Sequence, residues 1–67
     1  MIAFYLNGEA RECASNTRLS DLLAHEIAAG RRVAVERNGE IIPRSQYAHT
    51  EIAEQDHLEI VIAVGGG

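Results

Sequence analysis

The 67 residues are 46% apolar and 24% charged, which predicts one small globular domain and excludes a disordered chain. Ten acidic residues against six arginines and no lysine give a formal net charge of −4. That balance excludes the basic footprint of a nucleic-acid binder and suits a partner with a basic docking surface.

Ile2, Phe4 and Leu6 alternate with Ala3 and Tyr5, the period of a half-buried first strand. Asn7-Gly8 is a strong two-residue hairpin signal, so Glu9 to Cys13 is the predicted returning strand. Ala14-Ser15-Asn16 is a polar break, and Thr17 is the predicted N-cap of a helix. Leu19, Leu22, Leu23 and Ile27 recur at helical spacing, Asp21 lies near the positive end of the helix dipole, and Gly30 supplies a stop. One amphipathic helix is expected from Thr17 or Arg18 to about Ala29.

Val33 to Arg37 is the next predicted strand, followed by a second hairpin signal at Asn38-Gly39 and a short strand, Glu40-Ile41-Ile42, that Pro43 stops. Arg44 to His49 reads as a helical turn or loop anchored by Tyr47, and Gln55-Asp56 as a tight turn. In the last strand, Leu58 to Val64, the residues Leu58, Ile60, Ile62 and Val64 share one face, and Glu59, Val61 and Ala63 share the other. A helix packed across a mixed sheet of four to five strands follows. This is an α+β, β-grasp (ubiquitin-like) domain over residues 1–64 with a glycine tail, 65–67.

Cys13 is the only cysteine. It excludes an internal disulfide framework and a cysteine-based metal site, reads as a small core residue, and fits a reducing compartment. No apolar run reaches membrane-spanning length, and the N-terminus lacks the basic region and cleavage site of a signal peptide. A cytoplasmic protein with neither nucleic-acid nor membrane partners is expected. His25, His49 and His57 have no metal-ligand spacing and read as solvated surface residues, so no metal site and no catalytic residue is assigned.

The chain has little room for a substrate cleft, so the tail draws attention. Val64-Gly65-Gly66-Gly67 follows directly on an apolar strand. Glycines without Cβ atoms pass through a narrow channel, and three of them reach about 10 Å when extended. Gly65 and Gly66 could therefore deliver the Gly67 carboxylate into a partner's buried site. A carboxylate is a poor electrophile and must be activated, most simply as an acyl-adenylate. The chain has no phosphate-cradling loop for this, so the activating enzyme must be a separate protein. The activated terminus could then accept sulfur or be joined to an amine.

The segment from Val33 through Asn38-Gly39-Glu40 to Pro43-Arg44, the ending Leu58 to Gly67, the opening strand with its Asn-Gly turn and the helix start at Thr17 to Leu23 together resemble the bacterial sulfur carrier family ThiS of thiamin biosynthesis. Gln55 departs from the family's common Gly-Asp and implies a different or slightly strained turn. The resemblance implies that an E1-like adenylyltransferase, ThiF, uses ATP and magnesium to adenylate Gly67. It further implies that persulfide sulfur from a cysteine desulfurase makes the thiocarboxylate, and that thiazole synthase, ThiG, takes this sulfur into the thiazole ring. No cofactor would be bound permanently by the carrier, which is a protein co-substrate and not an enzyme.

In such a sheet Val61 and Ala63 would neighbour Ala3 and Tyr5 on the first strand and Ala34 on the third. Tyr5, Ala34, Val61 and Ala63 would then form a shallow docking patch edged by Glu59. The lack of lysine spares an activated terminus an intramolecular amine, and codon usage that favours arginine accounts for it equally well. Three alternatives stay open. One is a related carrier serving molybdopterin, tRNA thiolation or cysteine synthesis, another is a ubiquitin-like modifier of lysine amines, and the third is an interaction module with an idle tail.

Overall fold

The computed structural model describes residues 1–63. The chain runs β1 (Ile2–Leu6), β2 (Glu9–Cys13), α1 (Leu19–Leu22), α2 (Ala24–Ala28), β3 (Arg32–Arg37), β4 (Glu40–Ile42), a 3-10 helix (Arg44–His49) and β5 (His57–Ala63). The five strands form one mixed sheet in the order β2-β1-β5-β3-β4. The first and last strands run parallel, with Tyr5 opposite His57 and Leu6 opposite Leu58, and every other pairing is antiparallel. The helices cover one face of this sheet, which is the β-grasp architecture that the alternation and turn signals anticipate.

Both Asn-Gly pairs form hairpin turns with positive φ at each residue, 51° and 84° at Asn7-Gly8 and 51° and 86° at Asn38-Gly39. These are type I′ values, which match the twist of the flanking strands. The asparagines also grip β5 from opposite sides. Asn7 accepts from the Ile60 amide (2.8 Å) and donates to the Ile60 carbonyl (3.3 Å), while its own amide bonds the Leu58 carbonyl (2.8 Å). Asn38 accepts from the His57 amide (2.9 Å), and its amide bonds the His57 carbonyl (2.9 Å). Each side chain thus extends the sheet ladder where its own strand has already turned away.

The core is Phe4, Leu19, Leu23, Val35, Tyr47, Ile52 and Leu58, with Ile2, Leu6, Ile27, Val33 and Ile60 packed around it. Tyr47 anchors the 3-10 helix as expected, its hydroxyl donating to the Val33 carbonyl at 3.2 Å. Ile52 is a core residue that the strand and helix patterns do not reveal, because it stands alone in a polar connection. Cys13 is half-buried at the end of β2 and packs against the core.

The helical region differs from expectation at two points. Arg18, not Thr17, is the N-cap, with extended φ −101° and ψ 162°. The Thr17 hydroxyl instead donates to the Ala14 carbonyl (2.7 Å), and the Thr17 carbonyl accepts from Ile52 (2.8 Å). Pairing with the Glu51–Ile52 segment holds residues 17 and 18 extended and delays the helix by one residue. The Asp21 carboxylate accepts from the Arg18 amide at 2.9 Å, in keeping with its place in the first turn. The helix is also not continuous. Leu23, at φ −99° and ψ 7°, separates two short segments, which lets α1 face the 3-10 helix while α2 packs on β3. Gly30, at φ 74°, ends α2 as predicted: its amide bonds Ile27, and the Arg31 amide bonds Glu26. This is the Schellman arrangement of a helix terminus.

The turn before β5 contains the expected irregularity, since Gln55 has φ 69°. A side chain in this left-handed region costs about 1–2 kcal/mol, and glycine's greater unfolded-state freedom cancels part of what its substitution recovers. Gln55→Gly is therefore expected to stabilise the fold by about 0.5 kcal/mol, read as a melting temperature about 2–4 °C higher. A lower melting temperature would show that Gln55 makes compensating contacts.

Candidate functional site

The alternating residues of β5 divide as the sequence predicts. Leu58 is buried and Ile60 and Ile62 are half-buried toward the helices, while His57, Glu59, Val61 and Ala63 are exposed on the open face. β5 sits at the centre of the sheet, held by β1 and the Asn7 side chain on one side as far as Ile60 and by β3 on the other as far as Ala63. Val64, Gly65, Gly66 and Gly67, and with them the 64/65 domain boundary, lie outside the described residues.

On the open face the register places Val61 opposite Ala34 and Ala63 opposite Arg32. Val61 is 67% exposed, the measure of an apolar side chain that no intramolecular neighbour covers. Ala34, Val61 and Ala63 are thus adjacent, as expected. Tyr5 and Ala3 are not beside them. Tyr5 pairs with His57, four residues before Val61, which is about 13 Å along the strand. The sequence pattern identified the face correctly, but it could not supply the β1–β5 register. That register follows from the Asn7 and Gln55 hydrogen bonds at the two ends of β1.

The open face therefore holds two apolar areas. At one end the Tyr5 and His57 rings stack, with centroids 4.7 Å apart and planes inclined by 21°. Beside them lies an open depression of about 530 Å³ lined by Ala3, Phe4, Tyr5, Ala10, Arg11, Glu12 and Gln55. At the other end are Ala34, Val61 and Ala63. Between the two, Glu36 and Glu59 stand directly opposite one another. Like charges facing across strands are unfavourable in the isolated fold. Ile41, exposed on β4 and opposite Glu36, extends the apolar surface toward the sheet edge.

His57 belongs to the first position of β5 and not to a loop, and its ring is held by Tyr5. His25 and His49 are exposed. Among the described residues no group of three or more His, Cys, Asp or Glu side chains could hold a metal ion, and no helix is long and apolar enough to cross a membrane.

Comparison with known proteins places this geometry. The ThiS family model matches residues 4–67. The chain belongs to the ThiS family. Among individual relatives, the sulfur carrier protein ThiS of Bacillus subtilis is 41% identical, over 92% of this chain and 96% of its own. A thiazole synthase of Paramagnetospirillum magneticum is 44% identical over 92% of this chain, and one of Magnetococcus marinus is 38% identical over 94%. The chain spans only 19% of the length of either synthase. The crystal structure of a thiamine biosynthesis protein (ThiS) from Geobacter metallireducens superposes with a TM-score of 0.77 at 28% identity, covering 98% of this chain and all of that one. ThiS-family membership and the β-grasp sheet are thereby both established for this chain.

Proposed function

We propose that this ThiS-family chain is the sulfur carrier for thiazole formation in thiamine biosynthesis, acting through the Gly67 carboxylate as a co-substrate of other enzymes. The observation that carries this reading is that the family match runs through Gly67 itself, four residues beyond the end of the central strand β5. In this scheme an E1-like adenylyltransferase, ThiF, spends ATP with magnesium to form the Gly67 acyl-adenylate. The terminal sulfur of a persulfide donor such as a cysteine desulfurase displaces AMP to give an acyl disulfide. A thiol reductant then cleaves its S–S bond, releasing the thiocarboxylate and leaving the donor as a disulfide. Thiazole synthase, ThiG, then receives the sulfur. Thiazole synthases that contain a segment similar to this chain favour this pathway over the molybdopterin, tRNA and cysteine alternatives.

The test is intact mass spectrometry after incubation with the adenylyltransferase, ATP, magnesium, a persulfide source and a thiol reductant. Exchange of one carboxylate oxygen for sulfur adds about 16 Da, and the added mass should localise to the C-terminal fragment. An unchanged mass with enzymes proven competent on another carrier would remove the reading. A mass equal to a covalent conjugate with a lysine-bearing protein would favour the modifier alternative.

Ala34, Val61 and Ala63 are the part of the open face nearest the tail, and we assign them to contact with the activating enzyme; Tyr5 would contribute separately, through its stack with His57. Val61→Asp places a charge in the centre of the nearer area without touching the core. Its expected effect is at least a tenfold fall in the efficiency of adenylation, about 1.4 kcal/mol of lost complementarity, with an unchanged melting curve. Adenylation at the parent rate would show that this area is not a contact.

A further inference from the structure

The arginines are unevenly placed. Three of the six, Arg31, Arg32 and Arg44, line a single depression of about 280 Å³, whose remaining lining is Ile27, Val33 and Tyr47. Arg31 follows the Gly30 helix stop, Arg32 opens β3, and Arg44 opens the 3-10 helix after Pro43. Two separate segments of the chain, the α2–β3 connection and the start of the 3-10 helix, therefore converge on one spot. Of the ten acidic residues, Glu26 is the one that pairs with this cluster among the described residues, at 3.1 Å from Arg31. Arg32 and Arg44 have no carboxylate partner among the described residues. A basic depression with an apolar floor is thus set into a protein whose net charge is −4.

Its position gives it meaning. Arg32 is the direct cross-strand partner of Ala63, the last described residue before the tail. The basic spot therefore lies at the end of the sheet from which the chain leaves, while the facing Glu36–Glu59 pair lies four residues further back along the same strands. The molecule is electrostatically polarised, basic at the tail and acidic over the rest. Such polarity orients a protein as it approaches a charged entrance and raises the rate of productive encounter by about 10- to 1,000-fold.

The geometry points to the Arg31–Arg32–Arg44 depression as a docking element for a carboxylate-rich rim around the channel of the activating enzyme that takes in the tail. This rests on the carrier function proposed above. The occupant is a partner's Asp or Glu side chains and not a nucleotide phosphate. The depression has an apolar floor of Ile27, Val33 and Tyr47 that suits the methylenes of an acidic side chain. Its guanidinium groups can meet carboxylates in paired hydrogen bonds. The cluster accordingly determines how often the tail arrives correctly aimed, and leaves the chemistry at the carboxylate unchanged.

The test compares the parent with Arg32→Glu/Arg44→Glu and with Arg11→Glu, a control that reverses a charge on the distant β2 strand. Pyrophosphate release by the E1-like adenylyltransferase is measured against carrier concentration from low to high ionic strength, with melting curves for each variant. The double variant should fold and lose about 10- to 100-fold in kcat/KM at low salt, entirely through KM for the carrier. The loss should shrink as added salt screens the charges, and Arg11→Glu should change by less than about threefold. Arg44→Lys should retain most of the parent's response. An unaltered KM and salt dependence with an active parent overturns the inference and leaves the carrier function standing. So does an equal loss in Arg11→Glu, which would make it a matter of net charge. A fall in kcat or a raised KM for ATP would assign the arginines to nucleotide phosphates and also overturn it. Salt-sensitive self-association of the parent, abolished in the double variant, would place a second copy there instead. A parent that is never activated removes the carrier function, and this inference with it.

Discussion

Deleting Gly66 and Gly67 is expected to abolish thiocarboxylate formation and leave the folded body intact. The sheet ladder, both asparagine clamps and the core all lie within residues 1–63, so the shortened protein should melt within about 2 °C of the parent. The new terminus would fall about 7 Å short of the old one. Acyl activation tolerates no such offset, since a misplacement of 1 Å can already cost about 100-fold in rate. The added 16 Da should therefore be undetectable in the truncated chain under conditions where the parent is fully converted. Retained conversion would mean that the reacting group is not at Gly67. Lost conversion accompanied by a lowered melting temperature would mean that the tail also supports the fold.

The largest expected effect on stability comes from Asp56, the one buried charged residue among those described, at 4% exposure. Its carboxylate accepts from Arg37 Nε at 3.0 Å, from the Ala53 amide at 2.8 Å and from Asn38 Nδ2 at 3.1 Å. Its carbonyl accepts from the Tyr5 amide at 2.8 Å. The residue thus joins the entry to β5, the β3–β4 turn and β1. Removing one partner of a buried ion pair costs about 3–5 kcal/mol because the other charge is left without compensation. The Arg37 side chain is nearly one-third exposed, so water relieves part of that penalty, and about 3 kcal/mol is expected for Asp56→Ala. A domain of this size has only about 3–10 kcal/mol in total. The melting temperature should fall by about 12–24 °C, measured by circular dichroism. A change below 3 °C would show that the network contributes nothing net.

Much of this architecture could be read from residue order. The two Asn-Gly pairs specify hairpin turns through a backbone preference that needs no tertiary information, and the alternation of Leu58, Ile60 and Ile62 identifies the buried face of β5. The bend at Leu23 could not be read, because Leu19, Leu22, Leu23 and Ile27 fit a straight amphipathic helix equally well. The bend arises from packing against two different elements, and local propensity carries no trace of it. The same limit applies to the docking patch. Periodicity assigned Tyr5 and Val61 to one face, but their separation depends on a register between strands fifty residues apart. Asp56 shows a third case. It was legible as a turn residue, whereas its role as a shared acceptor required Arg37 and Asn38 to arrive from another hairpin. Three glycines after an apolar strand are conspicuous without any fold, and they lie outside the described residues.

The order of strands in the sheet also bears on how the protein is made. β5 lies at the middle of the sheet but is the last of the described strands to be synthesised. Until it emerges, the β1–β2 and β3–β4 hairpins have no common neighbour, and Leu58, Ile60 and both asparagine clamps lack their positions. A nascent chain that stops before residue 57 has two separate ribbons and no continuous sheet, a state that is marginal in water. Completion of the fold thus coincides with synthesis of the segment that leads into the glycines. Prematurely terminated chains would be exposed to proteolysis and would not persist as folded bodies that lack the glycines.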